Sequence, residues 1–259
     1  MNKIIKRILN KKNKSKIVCL TAYSKKIASI LDNHCDLVLV GDSLGSVLYN
    51  YKSTKEVTLD TMINHSKSVR SGVKKSLMVV DMPYNTYKNP KQALKNAKLV
   101  MKETNCDGVK LEGGKKIISI IKTLVKNRIP VMGHVGILPQ TDKKFSFKGK
   151  KQKERDKIIN DTKLLEEAGV FCIVLECVET KLSKIITEKI KIPTIGIGSS
   201  VNCDGQILVI DDLIGMSESK FKFVKRYVNS SKIIDGAVKK YKSEVQKKLF
   251  PSKKHSFNT

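Results

Sequence analysis

The sequence predicts a (β/α)8 barrel, a closed sheet of parallel strands with helices between them. Short apolar runs alternate about eight times with helix-like segments, at roughly 20 to 35 residues per unit. A chain of 259 residues accommodates that number of units as one domain over residues 1–259. No G-x-G-x-x-G turn follows the first strand, which counts against a dinucleotide-binding open sheet.

The strands are predicted from short apolar runs that end at glycine, proline or a polar residue. The runs are apolar on both faces, as expected where helices cover a parallel sheet on both sides. The predicted strands span residues 17–23, 36–40, 76–82, 107–112, 130–136, 171–176, 192–198 and 206–210.

Helices are predicted between these strands from apolar residues at helical spacing and from end signals. Thr58 or Asp60 would cap one helix, and Pro90 would begin another, because proline in the first turn loses no hydrogen bond. The predicted helices span residues 24–31, about 60–71, 90–101, 115–127, 156–168 and 181–190, and a last helical region over 221–249 is interrupted near 229–231. Residues 141–155 are polar, basic and irregular, which predicts a mobile loop.

The N-terminal segment is basic and places Ile4, Ile5, Ile8 and Leu9 at helical spacing, which predicts a helix that packs on the barrel. An organellar targeting peptide would be rich in Arg and Ser, whereas this segment is rich in Lys and Asn. The six cysteines form no C-x-x-C pair, and we expect free thiols in a reducing cytoplasm. No apolar run approaches the roughly 18 residues of a membrane span, so no membrane partner is expected.

The net charge of +27 has two interpretations. It could mark a nucleic-acid-binding protein, or it could reflect a composition in which lysine replaces other residues wherever the surface tolerates it. The basic residues are spread along the whole chain, aromatic residues make up only 5%, and no zinc-finger, helix-turn-helix or RNA-binding signature appears. The compositional interpretation is favoured, and no specific nucleic-acid partner is expected.

Polar side chains recur where the predicted strands end. They are Asp42, Asp81, Lys110, Glu112, His134 and Glu176. Because all strand C-termini of a (β/α)8 barrel open on one face, these side chains would share one mouth. Lys110 and Glu112 lie two residues apart and so share a strand face, and we expect both to point into the barrel.

Carboxylate oxygens are ligands that Mg²⁺ prefers, usually one or two of them with waters and substrate oxygens. Asp42 and Asp81 are the first candidates, and Glu112 could bind the ion directly or through a water. An Asp after a strand is also a common helix cap or turn former, and His134 could be structural or ligand-binding. Glu176 follows four apolar residues, a partly buried setting that suits a general acid or base.

Eight stretches of the chain resemble the ketopantoate hydroxymethyltransferase family, in the same order and spacing. They are Leu20-Thr21-Ala22-Tyr23, Val40-Gly41-Asp42-Ser43-Leu44-Gly45, Asp81-Met82-Pro83, Val109-Lys110-Leu111-Glu112-Gly113-Gly114, Gly133-His134-Val135-Gly136-Ile137-Leu138-Pro139-Gln140, Leu175-Glu176-Cys177-Val178, Ile192-Pro193-Thr194-Ile195-Gly196-Ile197-Gly198 and Asp204-Gly205-Gln206-Ile207-Leu208-Val209. Such a series over nearly the whole chain is far more specific than any single glycine motif.

The resemblance implies a barrel of the phosphoenolpyruvate/pyruvate type. It implies transfer of a hydroxymethyl group from the co-substrate 5,10-methylenetetrahydrofolate to the oxo acid 3-methyl-2-oxobutanoate. The product, 2-dehydropantoate, would serve pantothenate biosynthesis, and the reaction would pass through a Mg²⁺-stabilised enolate. A homodecamer is also implied.

The resemblance also assigns roles to residues. The metal residues would be Asp42, Asp81 and Glu112, the oxo-acid contacts would be Asp42, Ser43, Asp81 and Lys110, and Glu176 would accept the proton. His134 is an additional candidate at the mouth.

The sequence departs from the family pattern after Gln140. The stretch Ser146-Phe147-Lys148-Gly149-Lys150-Lys151-Gln152 stands where the family usually carries Gly-Gly-Tyr-Lys-x-Gln-Gly, and Ser199-Ser200 replaces a small Ala-Gly pair. If the loop closes over the site, closure or folate affinity could be altered.

Two alternatives remain at this stage. One is a Mg²⁺-dependent barrel lyase of the isocitrate or phosphonopyruvate type, but such lyases usually use a cysteine in a mobile loop, and residues 141–155 contain none. The other is a basic RNA-binding protein that has lost catalysis. The carboxylates retained at the strand tips argue against it.

Overall fold

The computed structural model describes residues 3–142 and 146–257. The chain divides into two compact units, Met1–Val209 and Ile210–Thr259. The first unit contains every strand of the sheet. Whether residues 1–259 act as one domain stays a prediction.

The eight strands are parallel and form a closed barrel in chain order, which confirms the predicted fold class. They are β1 (Ile17–Thr21), β2 (Leu37–Val40), β3 (Leu77–Asp81), β4 (Gly108–Glu112), β5 (Val131–Gly136), β6 (Cys172–Glu176), β7 (Thr194–Ile197) and β8 (Gly205–Leu208). β2 and β3 are buried at every position, because the helices cover the sheet outside while side chains fill it inside.

Helices connect the strands in the first unit. They are α1 (Lys3–Leu9), α2 (Lys25–Leu31), α3 (Leu44–Tyr49), α4 (Leu59–Arg70), α5 (Pro90–Thr104), α6 (Ile118–Lys126), α7 (Gln152–Glu167) and α8 (Thr180–Lys189), with short 3₁₀ turns at Thr54–Glu56 and Lys115–Ile117. Thr58, not Asp60, caps α4, because its side-chain oxygen accepts a hydrogen bond from the N–H of Thr61. Pro90 begins α5, as predicted.

The N-terminal helix packs on the barrel, as predicted. Ile5 and Ile8 on α1 belong to the same buried cluster as Ile17, Leu37 and Leu77, the first residues of β1, β2 and β3. α1 therefore covers the end of the barrel where the strands begin. The amphipathic spacing read from the sequence is the physical basis of this contact.

The second unit contains α9 (Ile210–Leu213) and α10 (Ser230–Gln246), followed by a 3₁₀ turn at Lys253–His255. The prediction of a helical region beginning near residue 221 was wrong at its start. Asn229 caps α10 by accepting a hydrogen bond from the N–H of Lys232, which fixes the helix start at Ser230.

Two further sequence expectations need correction. Residues 44–49 form helix α3, which was not among the predicted helices. The loop predicted over 141–155 ends early, because α7 begins at Gln152. Residues 143–145 of that loop lie outside the described residues, and its mobility stays a prediction.

All six cysteines are free and buried, as expected of small apolar residues in a core. Among the helices of the described residues, none combines the length and the apolar character needed to cross a bilayer.

Candidate active site

The predicted polar side chains converge at the mouth where the strands end. The register of the sheet explains this: Asp81 lies opposite Lys110 across β3 and β4, and Glu112 lies opposite His134 across β4 and β5. Asp42 joins them from the turn after β2, where its N–H donates to Asp81 Oδ2 at 3.1 Å. The structure thus brings the strand-tip residues together.

Lys110 is buried and lies at the centre of the cluster. Its Nζ donates to Asp81 Oδ1 at 2.6 Å and lies 3.9 Å from Glu112 Oε1. Both Lys110 and Glu112 therefore point into the barrel, as their spacing predicted. Burial would lower the pKa of the Lys110 ammonium, but the neighbouring carboxylates outweigh burial and hold that pKa above its usual value. Lys110 is a permanent positive charge at neutral pH.

Among residues 3–142 and 146–257, no cation contacts Asp42 as Lys110 contacts Asp81. Burial, reinforced by the charges of Asp81 and Glu112, raises the pKa of the Asp42 carboxyl well above its usual value. Its Oδ2 accepts a hydrogen bond from Gln140 Nε2 at 2.8 Å. The mouth therefore holds more negative charge than the residues around Asp42 neutralise.

His134 is 1% exposed and lies between two carboxylates. Its Nδ1 is 3.4 Å from Glu112 Oε1, and its Nε2 is 3.2 Å from Glu176 Oε2. Neither contact has the angles of a hydrogen bond, so the attraction is ionic.

The charges of His134 and Glu112 support one another. Burial and Lys110 push the pKa of His134 down, but Glu112 and Glu176 overcome them and raise it to about 9. Burial alone would raise the pKa of Glu112, yet His134 and then Lys110 lower it. We conclude that His134 is cationic and Glu112 anionic at neutral pH.

Glu176 closes the network at the rim, with 17% of its side chain exposed. It is the carboxylate of the network that solvent and a bound substrate can reach most readily. Partial exposure and the adjacent cation fit a group that exchanges protons with a ligand in the mouth.

Ser43 is held by residues that the sequence interpretation overlooked. The hydroxyl of Tyr23 lies 2.8 Å from Ser43 Oγ, and the carbonyl oxygen of Tyr23 lies 2.7 Å from His65 Nδ1. A carbonyl can only accept, so His65 donates from Nδ1 and its Nε2 accepts from Tyr49 Oη at 2.8 Å. This chain fixes Tyr23, and Tyr23 orients the Ser43 hydroxyl.

Gln140 is another residue at the mouth to which the sequence analysis assigned no role. It is 1% exposed and contacts Asp42 and Glu112. The only sequence signal was its place at the end of the motif that carries His134, where it was quoted without a role.

Within residues 3–142 and 146–257, no group of three His, Cys, Asp or Glu side chains is arranged as a complete metal site. The residues present nevertheless fit Mg²⁺, which commonly takes one or two carboxylates and completes its shell with water and substrate oxygens. Asp42 and Asp81 are buried neighbours with oxygen donors, and the raised pKa of Asp42 marks a place where positive charge is lacking.

The fold matches solved structures over the whole chain. Phosphonopyruvate hydrolase aligns with a TM-score of 0.65 at 11% identity, covering 100% of this chain and 92% of that one. A 2,3-dimethylmalate lyase, described as a PEP mutase/isocitrate lyase superfamily member, aligns with a TM-score of 0.61 at 11% identity, covering 99% and 89%. At such identities the likeness shows the fold alone.

Sequence comparison is more specific. A family model described as ketopantoate hydroxymethyltransferase matches residues 2–253. The 3-methyl-2-oxobutanoate hydroxymethyltransferase of Pelagibacter ubique (strain HTCC1062) is 66% identical over 257 residues, covering 99% of this chain and 100% of the relative. The protein of the same name from Helicobacter pylori (strain G27) is 43% identical, covering 96% and 93%.

The fold and the carboxylate-lined mouth define a (β/α)8 barrel with a buried charged site where its strands end. Within that architecture, the chain belongs to the ketopantoate hydroxymethyltransferase family.

Proposed function

We propose that this protein transfers a hydroxymethyl group from 5,10-methylenetetrahydrofolate to 3-methyl-2-oxobutanoate, giving 2-dehydropantoate and tetrahydrofolate in pantothenate biosynthesis. The observation that carries the proposal is the 66% identity to a hydroxymethyltransferase along the full chain. The intact mouth supports it, because every residue expected at the site lies there with a defined partner.

Lys110 and Ser43 would bind the oxo acid. Lys110 is charged, buried and already among carboxylates, so an incoming substrate carboxylate gains a cation that has lost its hydration. The Ser43 hydroxyl, oriented by Tyr23, offers a hydrogen bond at the next strand tip. Together they would hold the substrate with its C3 carbon toward the rim.

Glu176 would remove the proton from C3 of the oxo acid. It is the most exposed carboxylate of the network, and His134 Nε2 at 3.2 Å from its Oε2 holds it in place. Loss of this proton gives an enolate, whose carbon attacks the methylene carbon of the folate. Both C–N bonds to that carbon break, one water supplies the hydroxyl group, and the folate nitrogens take up one proton from this water and the one removed from C3. His134 would thus be a positioning residue for Glu176.

Mg²⁺ would be held by Asp42 and Asp81, and when bound it would polarise the keto group and stabilise the enolate charge. Glu112 is better placed to act through a water. Its Oε2 accepts from the N–H of Gln140 at 3.1 Å, and its Oε1 faces His134 and Lys110. Both of its oxygens are therefore already engaged by the protein.

Self-association as a homodecamer and a cytoplasmic location belong to the same proposal. α10 supports association, because Ile233, Val238 and Tyr241 on one helix are 62%, 58% and 55% exposed. An amphipathic helix of this kind gains stability only when its apolar stripe is covered. Light-scattering mass of the purified protein tests the oligomer.

A turnover assay tests the function. Purified protein, Mg²⁺, 3-methyl-2-oxobutanoate and 5,10-methylenetetrahydrofolate are combined, and 2-dehydropantoate is followed by mass spectrometry. Product that disappears with EDTA and with Asp81→Ala would support both the reaction and its metal dependence. Folded protein that binds Mg²⁺ but forms no product would refute the substrate assignment.

A further inference from the structure

Gln140 makes more contacts with the candidate metal residues than any role as a packing residue requires. Its Nε2 donates to Asp42 Oδ2 at 2.8 Å and to the carbonyl oxygen of Met82 at 3.0 Å. Its main-chain N–H donates to Glu112 Oε2 at 3.1 Å, and its Oε1 accepts from the hydroxyl of Tyr87. One residue thus contacts carboxylates from two different strand tips.

These partners fix the orientation of the Gln140 amide. The Met82 carbonyl oxygen can only accept, so it requires the NH₂ group on its side, where Asp42 Oδ2 also accepts. Tyr87 donates to the opposite side, which must be the carbonyl oxygen. If the amide were flipped, the Gln140 oxygen would face the oxygens of Asp42 and Met82, and the Gln140 NH₂ group would face the hydroxyl hydrogen of Tyr87. Gln140 is therefore held by four contacts in one orientation.

We propose that Gln140 is a positioning residue for the metal site: its side-chain amide holds one oxygen of Asp42 and thereby presents the other oxygen to the cation. The proposal rests on the proposed function only in taking Asp42 as a metal ligand. In this role Gln140 would touch neither metal nor substrate. It acts through the carboxylates that do.

The need for such a residue follows from the charges around Asp42. Asp81 and Glu112 both repel the Asp42 carboxylate, and Lys110 is already paired with Asp81 at 2.6 Å. A neutral amide can hold Asp42 without supplying a charge that would compete with a divalent ion. Partners of this type around metal ligands typically change metal affinity about 10- to 100-fold when removed.

The same residue ties the segment after β5 to the site. Residues 137–142 are anchored by Ile137, whose N–H donates to the carbonyl oxygen of Glu176 at 2.9 Å, and by Asp142, which pairs with Lys148 at 2.9 Å. Gln140 lies between these anchors. Its contacts therefore join the strand that carries Glu112 and the turn that carries Asp42 through one short segment.

The experiment measures Mn²⁺ binding by electron paramagnetic resonance, so the result does not depend on turnover. Gln140→Met keeps the length of the side chain and the main-chain N–H to Glu112 but removes the amide. Gln140→Asn keeps an amide that is one methylene too short to reach Asp42. Each variant should raise the Kd for Mn²⁺ about 10- to 100-fold.

A matched tyrosine pair sharpens the test. Tyr87→Phe removes the hydroxyl that fixes the Gln140 carbonyl, and it should raise the Kd for Mn²⁺ by less than Gln140→Met does. Tyr84→Phe is the control, because Tyr84 lies on the same connection and its ring faces Lys55 at 5.2 Å rather than Gln140. Its Kd should equal that of the unmodified protein.

Kinetics separate a positioning role from a structural one. Saturating Mg²⁺ should restore most of the turnover of Gln140→Met, because the metal site is weakened but the base Glu176 is intact. The proposal is overturned if folded Gln140→Met or Gln140→Asn binds Mn²⁺ within about twofold of the unmodified protein. Should neither glutamine variant fold, Tyr87→Phe with an unchanged Kd overturns it. Unmodified protein that binds Mn²⁺ without turnover would refute the proposed function alone.

Discussion

The two ends of the barrel treat a buried carboxylate in opposite ways. At the end where the strands begin, Asp204 Oδ2 accepts three hydrogen bonds. They come from Lys12 Nζ at 2.8 Å, from the N–H of Thr194 at 2.9 Å and from the hydroxyl of Thr194 at 3.1 Å. At the mouth, Asp42 Oδ2 accepts from an amide and has other carboxylates as neighbours. One carboxylate is fully compensated by the protein, and the other is not.

The side chains around the two carboxylates also differ: they are apolar near Asp204 and charged near Asp42. Near Asp204 the barrel is filled by a single apolar cluster that includes Ile5 and Ile8 of α1, which are 1% and 0% exposed. At the mouth, buried charges replace that cluster. The beginning of the barrel is therefore built for stability, whereas the mouth keeps uncompensated charge for a ligand to neutralise. Substitutions at the two ends should separate activity from stability.

The largest expected effect is on turnover at the mouth. Glu176→Gln keeps the shape of the side chain but removes the base, and general-base groups of this kind contribute about 10²- to 10⁴-fold. The turnover number should fall by that factor in the 2-dehydropantoate assay. The Kd for Mn²⁺ should stay unchanged, because Glu176 is not among the proposed metal ligands. The melting temperature should fall only modestly, because Glu112 still faces the buried His134 at 3.4 Å.

Glu188→Gln is the control for this change. Glu188 lies on α8 with 62% of its side chain exposed, and its ion pair with Lys184 at 3.9 Å is a surface contact. Its variant should turn over normally. Normal turnover of Glu176→Gln would mean that another group accepts the proton.

The next effect is on stability and uses the same substitution at both ends. Asp204→Asn leaves the buried Lys12 ammonium without its counter-charge, which should lower the free energy of unfolding by about 4 kcal/mol. Asp42→Asn should instead raise the free energy of unfolding in EDTA at pH 7. The unfolded Asp42 carboxyl is ionised at this pH, and the raised pKa in the fold means that burying that charge is unfavourable.

Urea unfolding at one protein concentration measures both variants. Asp42→Asn should lose turnover while gaining stability, and Asp204→Asn should keep the turnover per folded molecule. Equal destabilisation by the two substitutions would show that Asp42 is as well compensated as Asp204, and would remove the distinction between the ends.

The sequence predicted the strands well because their apolar runs are bounded by glycine, proline and charged residues. It also placed the carboxylates at one mouth, since parallel strands in a barrel leave no other arrangement. Helix α3 was missed because six residues, Leu44–Tyr49, are too short to establish a helical period. A local sequence pattern predicted an element only where the element was long enough for the pattern to repeat.

The side-chain contacts around the site could not be predicted from local sequence patterns. Gln140 and Asp42 are 98 positions apart, and Tyr23 and Ser43 are 20 apart. Nothing local to Gln140 says that its amide will meet a carboxylate from another strand tip. Such roles depend on which loops meet above the barrel, and only the folded chain defines that.

The last expected effect is a pH dependence of stability carried by His134. Its pKa is about 9 in the fold against an ordinary value of 6.5, so the fold favours the protonated form. The stabilisation is therefore complete below pH 6.5 and is lost as the pH rises through about 9. Its full size is on the order of 3 kcal/mol, and only part of it remains at pH 8.

His134→Gln removes this dependence, and His34→Gln on the exposed surface is the matched control. The free energy of unfolding of each variant is compared with that of the unmodified protein between pH 6 and pH 9, in EDTA. The difference for His134→Gln should shrink as the pH rises, while that for His34→Gln should stay near zero. A constant difference across this range would mean that the fold leaves the pKa of His134 at its ordinary value, and that Glu112 and Glu176 do not favour its protonated form.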